Sequence, residues 1–581
     1  MSESQNDGRV HGMKKYFFRA TAAEFKHIQG SPIAYWMSES QIKLFDRPKI
    51  SQYGRVGVGL QTGDNGKFIR YWFEVSQSRI SLNDKEQKPS CTWYRCNKGG
   101  EYRKWFGNGL EVVLWKENGA ALKANVPSAV IRNEPLYFLP CVTWSRITSG
   151  KISFRYIPDG YVHNDASCFI VGNGSLENFN LLAYLNSPLR SIVVESINPT
   201  LNLLPGQVSE TPYLSAPISG VERLINSAKD DWNAFETSWH FSASPLADQR
   251  FHSPSLKSSY QKLRTHWRET TLEMQRMEQE NNRIFINAYG LQDELVPEVP
   301  LNEITLTCNP NYRYGGDKSE EELEALLLAD TMRELVSYAV GCMFGRYSLD
   351  KPGLILANQG ETLADYLAQV PQPSFPADDD NVVPVLDGDW FPDDITLRFR
   401  QFLRVTFGDA HYEDNLAFIE QALNVKGKRN YGLRDYFLGE FYVDHVKRYK
   451  KRPIYWLFSS PKGSFNALIY IHRYRGDTVS VVLKYLRDYR EKLGTERARQ
   501  TAVSINPAVN QGDKTRALKE VERLAKVLAE LEDYERDVLY PLATEQKAID
   551  LDDGVKVNYL KLNERGPALK KIVGLDAKDE D

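Results

Sequence analysis

The sequence of 581 residues is poor in cysteine and lacks any long hydrophobic run. Its six cysteines are scattered rather than closely paired, which argues against a zinc site and against the disulfide framework of a secreted domain. No apolar run approaches the ~18 residues that a membrane-spanning helix needs, and the start of the chain has no signal-peptide pattern. These absences predict a large cytoplasmic protein with reduced thiols and no membrane partner.

The sequence also lacks a complete motif for binding a cofactor, a phosphate or a metal ion. The glycine cluster in GRVGVGLQTGDNGKFIRYWFEV lies between predicted strands, so it is not a dinucleotide-binding turn, and Gln61 stands where a P-loop needs its first glycine. The nine histidines have no metal-site spacing. Glu86-Gln87-Lys88 has the Glu-x-Lys spacing of some nucleases but no neighbouring Pro-Asp. These motifs therefore predict no metal, no cofactor and no catalytic residue in this chain.

Charge is nearly balanced overall but uneven along the chain. A net charge of −3 does not by itself indicate a nucleic-acid-binding protein. Residues 424–475 are rich in lysine and arginine, whereas acidic residues collect between Asp378 and Asp394. The segment HVKRYKKRP predicts a basic face that can follow DNA phosphates, with a solvated helix surface as the alternative. Its basic residues are Lys447, Arg448, Lys450, Lys451 and Arg452.

The patterning predicts an α+β fold built from several packed units. From Gly54 to Val171, short runs of aromatic and β-branched residues alternate with Gly, Asn, Asp and Pro, which is typical of strands and turns. The predicted units are a flexible leader (1–24), a β-rich domain (25–245), a helical connector (246–350), a mixed α/β second lobe with the basic segment (351–475) and a C-terminal helical region with a long-helix hairpin (476–581).

Several helices can be placed from their end signals and apolar spacing. Residues 320–341 begin with three glutamates and end at a glycine, which predicts a helix. Residues 180–186 predict a shorter helix stopped by Pro188, and residues 478–493 and 514–539 predict the two arms of the hairpin. The Pro- and Asp-rich residues 353–400 are interpreted as surface loop.

The segment TCNPNYRYGG contains a near-match to a catalytic tetrapeptide. Amino-group DNA methyltransferases hold the target base with Asn/Asp-Pro-Pro-Tyr/Phe, and this chain has Asn309-Pro310-Asn311-Tyr312. Asn311 replaces the second proline, which removes a fixed backbone geometry and restores a free N–H. The favoured interpretation is a turn, and a degenerate catalytic loop is the alternative.

Three loops of the β-rich domain combine glycine with polar, aromatic and basic residues. They are GLQTGDNGKFIRYWFEV, YRCNKGGEYRKWFGN and TWSRITSGKISFRY. Arginine, lysine and asparagine in such loops can pair with base edges in the major groove of DNA, and glycine allows close backbone approach. The loops therefore predict a DNA-reading surface. The alternative is an antiparallel sheet whose loops are solvent-exposed and bind nothing.

These loops resemble those of a known family in both their order and their amino-acid sequence. With FKHIQGSPIAYWMS, NPTLNLLPGQV, DDWNAFETSWHF, MFGRYSLDKPGLI, RPIYWLFSSPKGSFNALIYIHRY and DDGVKVNY, they resemble the C-terminal half of the PglX adenine-specific DNA methyltransferases of type 1 BREX phage-defence systems. The motif G-x-x-T-G-x-N-x-x-F is also similar to the target recognition domain of type IIG restriction-methylation enzymes. The resemblance spans nearly the whole chain and implies that residues 25–245 are a target recognition domain.

The resemblance implies a role in methylating the 6-amino group of adenine in double-stranded DNA, with S-adenosylmethionine as the cofactor of the full-length family. In that family the donor-binding glycines and the catalytic loop precede the Ser-Pro-Ile-Ala-Tyr-Trp segment, so we expect a specificity half without its catalytic half. A truncated form, a split gene or an alternative start would each produce it. The residues on matching motif positions, implied to contact DNA, are Thr62, Gly63, Asn65, Lys67, Asn97, Lys98, Arg103, Lys104, Trp144, Ser145 and Lys151. Lys462 in SPKGSF is a further candidate, for which packing of the second lobe is the alternative.

Three functional hypotheses follow from these patterns. The first is a sequence-specific DNA-recognition module of a BREX adenine methyltransferase, with the missing methyltransferase half and other BREX components as partners. The second is a methyltransferase in its own right, with a degenerate or undetected catalytic centre, so the sequence leaves open whether the chain is an enzyme. The third is a BREX scaffold protein.

Overall fold

The computed structural model describes residues 35–81, 91–148, 150–197, 202–216, 218 and 220–575. The predicted leader, the triplet Glu86-Gln87-Lys88 and the segment around Pro199 lie outside the described residues. Among the described residues, no helix combines the length and the apolar character that crossing a membrane requires.

Short strands and short helices alternate over the first part of the chain. In order they are α1 (Glu39–Ile42), β1 (Gly54–Val58), α2 (Asn65–Phe68), β2 (Ile69–Tyr71), β3 (Ile80–Ser81), β4 (Trp93–Asn97), β5 (Glu111–Leu114), α3 (Lys116–Lys123), β6 (Cys141–Ser145), β7 (Arg155–Ile157), β8 (Val162–His163) and β9 (Ser167–Gly172). One antiparallel sheet has the order β1-β9-β6-β7. A second sheet has the order β2-β5-β4-β3, and both β3 and β8 run parallel to β4.

Helices follow the two sheets. They are α4 (Ser175–Leu185), α5 (Leu189–Ile197), α6 (Pro205–Ser209), α7 (Val221–Asn233), α8 (Leu256–Tyr289), α9 (Pro310–Tyr314) and α10 (Glu320–Met343). Helix α10 begins with a capping box, in which the Ser319 hydroxyl accepts from the Glu322 N–H and the Glu322 carboxylate accepts from the Ser319 N–H. The helix predicted over residues 320–341 is therefore confirmed, and it extends two residues further.

The remaining elements form a third small sheet surrounded by helices. They are α11 (Leu363–Gln369), β10 (Val383–Pro384), α12 (Ile395–Phe407), α13 (Tyr412–Leu423), α14 (Leu433–Gly439), α15 (Phe441–Arg448), β11 (Tyr455–Ser459), β12 (Asn466–Tyr470), α16 (Thr478–Ile505), α17 (Gln511–Tyr534), α18 (Tyr540–Glu545) and α19 (Gly554–Leu562). The sheet is antiparallel with the order β10-β12-β11. Helices α16 and α17 form the predicted hairpin, and the α+β fold class is confirmed.

Two large hydrophobic cores and two smaller ones organise the described residues. The sheet core lies between the first sheet and helices α4–α8, and the large core joins the third sheet to helices α10 and α12–α19. Helix α8 links them, because Leu263 near its start packs in the large core and Phe285 near its end packs in the sheet core. Trp93 on β4 and Val112 on β5 also belong to the large core, so the second sheet is held against the C-terminal half of the chain.

The interpretation of residues 353–400 as surface loop is wrong in part. Strand β10 pairs with β12, so the residues in and around β10 are buried in the large core. They include Phe375, Val382, Val383 and Val385. The proline and aspartate content of this segment reflects turns between buried side chains rather than an exposed loop.

Candidate nucleic-acid interface

A cavity of about 390 Å³, called the inner cavity below, brings together three segments that the sequence predicts to bind DNA. Asn65 comes from the first loop, Lys98 from the second loop and Arg452 from the basic segment. The full lining is Asn65, Gly66, Ile69, Arg70, Tyr71, Glu74, Lys98, Glu111, Arg452, Asp553, Gly554, Lys556 and Val557. Positions nearly 500 residues apart in sequence therefore meet in one site.

The first loop is shaped by hydrogen bonds within itself. The Thr62 hydroxyl donates to Asn65 Oδ1 at 2.8 Å, and the Asp64 carboxylate caps α2 by accepting from the Lys67 N–H at 3.0 Å. Gly63 has a φ of 72°, and a Cβ there would lie 2.6 Å from the backbone of Ser128. Thr62 and Gly63 thus hold the loop in shape, and Asn65 is the member that faces the inner cavity.

The C-terminal motif DDGVKVNY closes the other side of the inner cavity. Arg70 donates to the Asp552 carbonyl at 3.2 Å, and Trp93 Nε1 donates to the Asp552 carboxylate at 2.9 Å. Gly554 has a φ of 79°, in the left-handed region that favours glycine, and a Cβ there would lie 2.6 Å from Arg70 Nε. These contacts explain why a motif near the chain's end belongs to the same site as the first loop.

Two carboxyl groups line the inner cavity in different ways. Both oxygens of Glu74 accept backbone N–H groups, from Tyr71 at 2.9 Å and from Val555 at 2.8 Å. Glu111, on β5, has a buried Oε2 without a hydrogen-bond partner among the described residues. Burial raises the pKa of Glu111 to about 7, although the nearby charge of Lys98 opposes the shift. Burial likewise raises the pKa of Glu74, against the charge of Arg452.

A larger cavity of about 1020 Å³, called the outer groove below, adjoins the inner cavity at Tyr71, which lines both. Its cationic lining residues are Lys447, Lys450, Lys451, Lys462, Arg523, Lys570 and Lys571, whereas Asp387 is its one acidic lining residue among those described. Lys450 forms an ion pair with Glu101 at 2.9 Å. Lys450 and Lys451 have φ values of 52° and 60°, where non-glycine residues are rare.

The outer groove also contains exposed aliphatic side chains. Val443 on α15 is 66% exposed and Val573 is 82% exposed, and Leu438 lies beside them at 41%. These aliphatic side chains are surrounded by the lysines that line the outer groove.

Besides Thr62, which is 3% exposed, four residues predicted to contact DNA are buried with protein partners. Arg103 pairs with Asp231 at 2.6 Å, and Lys104 pairs with Glu278. Asn97 donates to Thr143 Oγ1 at 2.8 Å, and Trp144 Nε1 donates to the Leu203 carbonyl at 2.9 Å. All four side chains are less than a tenth exposed, which leaves no surface for a base or phosphate, so we leave them out of the interface proposed below.

Of the other predicted residues, Lys67, Ser145 and Lys151 lie wholly or partly at the surface and outside the inner cavity. Lys151 pairs with Glu303, and the Ser145 hydroxyl donates to the Gly100 carbonyl at 2.8 Å. Lys67 is exposed, with its ammonium 5.0 Å from the centre of the Phe68 ring. Arg448 is turned inward and lies 3.7 Å from Glu236. Of the basic segment, the outer groove collects Lys447, Lys450 and Lys451 and the inner cavity collects Arg452.

Asn309 has a structural role. Its side chain is 1% exposed, and its amide donates to the carbonyl groups of Leu301 at 2.7 Å and Ile304 at 2.8 Å. Its Oδ1 accepts from the Asn311 N–H at 3.2 Å and so caps α9. The segment interpreted from sequence as a turn is therefore a capped one-turn helix, and its asparagine is occupied by backbone groups.

In the described part of the chain, the glycine-rich segment after β1 does not form the S-adenosylmethionine-binding turn of a doubly wound fold. Strand β1 and the glycines after it lead into α2, but β1 lies in an antiparallel sheet and α2 is a single turn. Across the described part of the chain, no group of three or more His, Cys, Asp or Glu side chains is arranged to hold a metal ion.

Several lining residues were not singled out by sequence reasoning. Glu111 lies in LEVVLW, which indicates only a strand, and Lys570 and Lys571 lie in a segment without a recognisable pattern. Lys556 stands inside DDGVKVNY, so the motif was noticed but its lysine was not assigned a role.

Comparison with known proteins shows that the chain is homologous to adenine-specific methyltransferases. It is 36% identical over 574 residues to "Adenine-specific methyltransferase BrxX" of Escherichia coli O9:H4 (strain HS), a match covering 95% of this chain and 46% of the relative. It is 33% identical over 569 residues to "Adenine-specific methyltransferase PglX" of Lacticaseibacillus casei (strain Zhang), covering 94% and 45%. The chain spans about half the length of these relatives. No protein-family model matches it.

Proposed function

We propose that this chain provides the double-stranded DNA-recognition surface of a BREX-type adenine-specific methyltransferase and does not itself carry out methyl transfer. The inner cavity and the adjoining outer groove together form its DNA-binding cleft. The relatives' names support a methyltransferase-related role, and the recognition role is supported by the site.

The main support for the proposal is that three motif residues converge on the inner cavity. Asn65, Lys98 and Arg452 belong to three segments that resemble the family's motifs, and all three line the inner cavity. Packing alone does not require asparagine, lysine and arginine to converge on a cavity, whereas binding to base edges and phosphates does.

The charge distribution supports the same conclusion. Lys447, Lys451, Lys462, Lys570 and Lys571 line the outer groove, and their ammonium groups make no ion pair among the described residues. Unpaired lysines along one groove create a local positive field despite the net charge of −3, and such a field attracts the phosphate backbone.

Fluorescence anisotropy of the purified chain with mixed-sequence duplex DNA tests the proposal. Affinity is expected to fall by orders of magnitude between roughly 50 and 200 mM salt, because several phosphate contacts release counterions. Methyl incorporation should be absent in the same samples. Absence of binding at low salt would contradict the proposal, and methyl transfer by this chain would show that it is an enzyme.

A scaffold role is the second candidate, and the exposed aliphatic residues of the outer groove favour it. Leu438, Val443 and Val573 offer an apolar surface that a protein partner could cover. Co-purification of another BREX component, together with failure to bind DNA, would support this role over DNA recognition.

A further inference from the structure

Glu111 is placed at the wall of the inner cavity by the second sheet. It stands opposite Tyr71 on β2 and opposite Cys96 on β4, so neighbouring strands fix its backbone on both sides. The Tyr71 ring stacks on Phe73 with ring centroids 5.3 Å apart and planes within 9° of parallel, which holds the aromatic wall of the cavity in place. A carboxyl group and an aromatic ring therefore face the same space from adjacent strands.

Within the described part of the chain, one oxygen of the Glu111 carboxyl lacks the hydrogen bond that both oxygens of the neighbouring Glu74 have. Both oxygens of Glu74 accept backbone N–H groups, whereas Glu111 Oε2 is buried and makes no hydrogen bond among the described residues. A buried acceptor without a partner destabilises the protein and is uncommon. The terminal torsion of glutamate is soft, so a small rotation turns this oxygen toward a donor in the cavity at little cost.

The remaining lining suits the other parts of a nucleotide. A volume of about 390 Å³ lies in the range of small-molecule sites and accommodates a nucleobase. Bases taken out of the helix are read by stacking on aromatic rings and by hydrogen bonds to their edges. Tyr71 provides the ring and Asn65 an amide, and the cations that can face phosphates are Arg70, Lys98, Arg452 and Lys556.

We propose that the inner cavity takes an unstacked nucleobase with an exocyclic amine, and that Glu111 is the specificity-determining residue that accepts a hydrogen bond from that amine. The proposal rests on the DNA-binding function given above. An ionised carboxylate accepts and cannot donate, so it favours adenine or cytosine, whose amino groups donate, over thymine, whose exocyclic groups are acceptors.

The test compares three duplexes of one mixed sequence by fluorescence anisotropy at pH 8 and about 50 mM salt. One duplex is fully paired, one has a single unpaired dA at its centre, and one has a single unpaired dT. The wild-type chain should bind the unpaired dA duplex about tenfold more tightly than the unpaired dT duplex, a ratio within the range of one good base contact.

The Glu111→Gln variant keeps the shape of the side chain but exchanges the anion for a neutral amide. The dA preference should fall to about twofold or less, because a neutral hydrogen bond is roughly half as strong and the new amide can donate to thymine. Glu101→Gln is the matched control, since Glu101 is 80% exposed and pairs with Lys450 outside the inner cavity. The control should keep the full preference.

A pH comparison of the wild-type chain keeps the test decisive if the variant does not fold. The dA preference should shrink at pH 6, where the Glu111 carboxyl gains a proton. Glu74 faces the same space but its oxygens are held by backbone N–H groups, and none of the described residues that line the cavity is a histidine. The other titratable or charged groups near Glu111 are Arg70, Cys96, Lys98, Arg155, Lys450, Arg452, Asp553 and Lys556.

The possible outcomes separate this inference from the proposed function. Equal binding of the dA and dT duplexes by the wild-type chain, or an unchanged preference in Glu111→Gln, would overturn the inference while leaving DNA recognition intact. Loss of affinity for all three duplexes in the folded variant would make Glu111 a general structural residue and would also overturn it. No binding of any duplex by the wild-type chain would overturn both proposals.

Discussion

Two sets of basic residues from the predicted DNA-binding motifs have opposite environments. Arg103 and Lys104 are buried, and each is paired with a carboxylate on a distant helix, Asp231 and Glu278. Lys447 and Lys451 line the outer groove, and their ammonium groups have no carboxylate partner among the described residues. The comparison teaches that a basic residue in such a motif indicates a binding surface only when the fold provides it with no counter-charge.

The largest expected effect comes from breaking a buried pair. Lys104→Met leaves Glu278 buried without its cation, retaining only the bond from Trp105 Nε1 at 2.7 Å. The free energy of unfolding should fall by about 3–5 kcal/mol, as for other broken buried pairs. Urea denaturation measures it, with exposed Lys67→Met as the control that should change little.

The same variant also tests the distinction between the buried and the exposed cations. If Lys104→Met kept the wild-type stability but lost DNA affinity, Lys104 would be a DNA contact, and the distinction between the two sets of cations would be wrong.

The second prediction concerns the outer groove. Replacing Lys447, Lys451 and Lys462 together with glutamine should weaken duplex binding by 10- to 1000-fold at low salt, because each lysine lost removes one phosphate contact. Unfolding in urea should change by about 0.5 kcal/mol or less, since these ammonium groups lie at the surface. A triple variant in the α16–α17 hairpin is the control and should bind normally; its substitutions are Arg497→Gln, Lys514→Gln and Lys519→Gln.

A smaller effect is expected from the pH dependence of Glu111→Gln. Folding raises the pKa of Glu111 from an ordinary value of 4.5 to about 7, so the folded state binds more protons than the unfolded state between these values. Stability contributed by the protonated carboxyl is therefore lost as pH rises through this range. The variant should be more stable than wild type by about 2–3 kcal/mol at pH 8 and nearly equal at pH 4.5.

Urea unfolding of wild type and variant at both pH values measures the difference directly. A variant that is less stable than wild type at pH 8 would show that the ionised carboxylate has a stabilising partner in the folded protein, in contrast to its unpartnered oxygen in the structure.

The smallest predicted effect is at the near-match to the methyltransferase tetrapeptide. Asn309→Ala removes the cap of α9 and two donated hydrogen bonds, and should lower the free energy of unfolding by about 1–2 kcal/mol. DNA affinity of the folded variant should stay within about twofold of wild type. Methyl transfer by the wild-type chain that disappears in this variant would restore Asn309 as a catalytic residue.

Local signals predicted the parts of the fold that depend on local interactions. Helix α10 follows from its capping box and acidic first turn, and the α16–α17 hairpin follows from two long amphipathic segments. The α+β class follows from the change from short apolar runs to helical spacing. Residues 353–400 were misjudged because their burial depends on β10 pairing with β12, more than 80 residues away.

The candidate site was predictable in composition but not in geometry. The motifs singled out Asn65, Lys98 and Arg452 as candidates for DNA contact, and all three line one cavity. Burial of Arg103 depends on its pairing with Asp231, 128 residues away, and no local sequence pattern predicts that pairing. Glu111 was missed because a glutamate in a strand carries no local sign that it faces a cavity.

The most direct test of the central claim is the slope of log affinity against log salt concentration for duplex binding. If the outer groove holds the phosphates, the Lys447, Lys451 and Lys462 glutamine variant should have a slope shallower than wild type by about 2–3, since each contact contributes about 0.9. The hairpin triple variant should keep the wild-type slope. Equal slopes for all three proteins would contradict the assignment of the groove as the DNA-binding cleft.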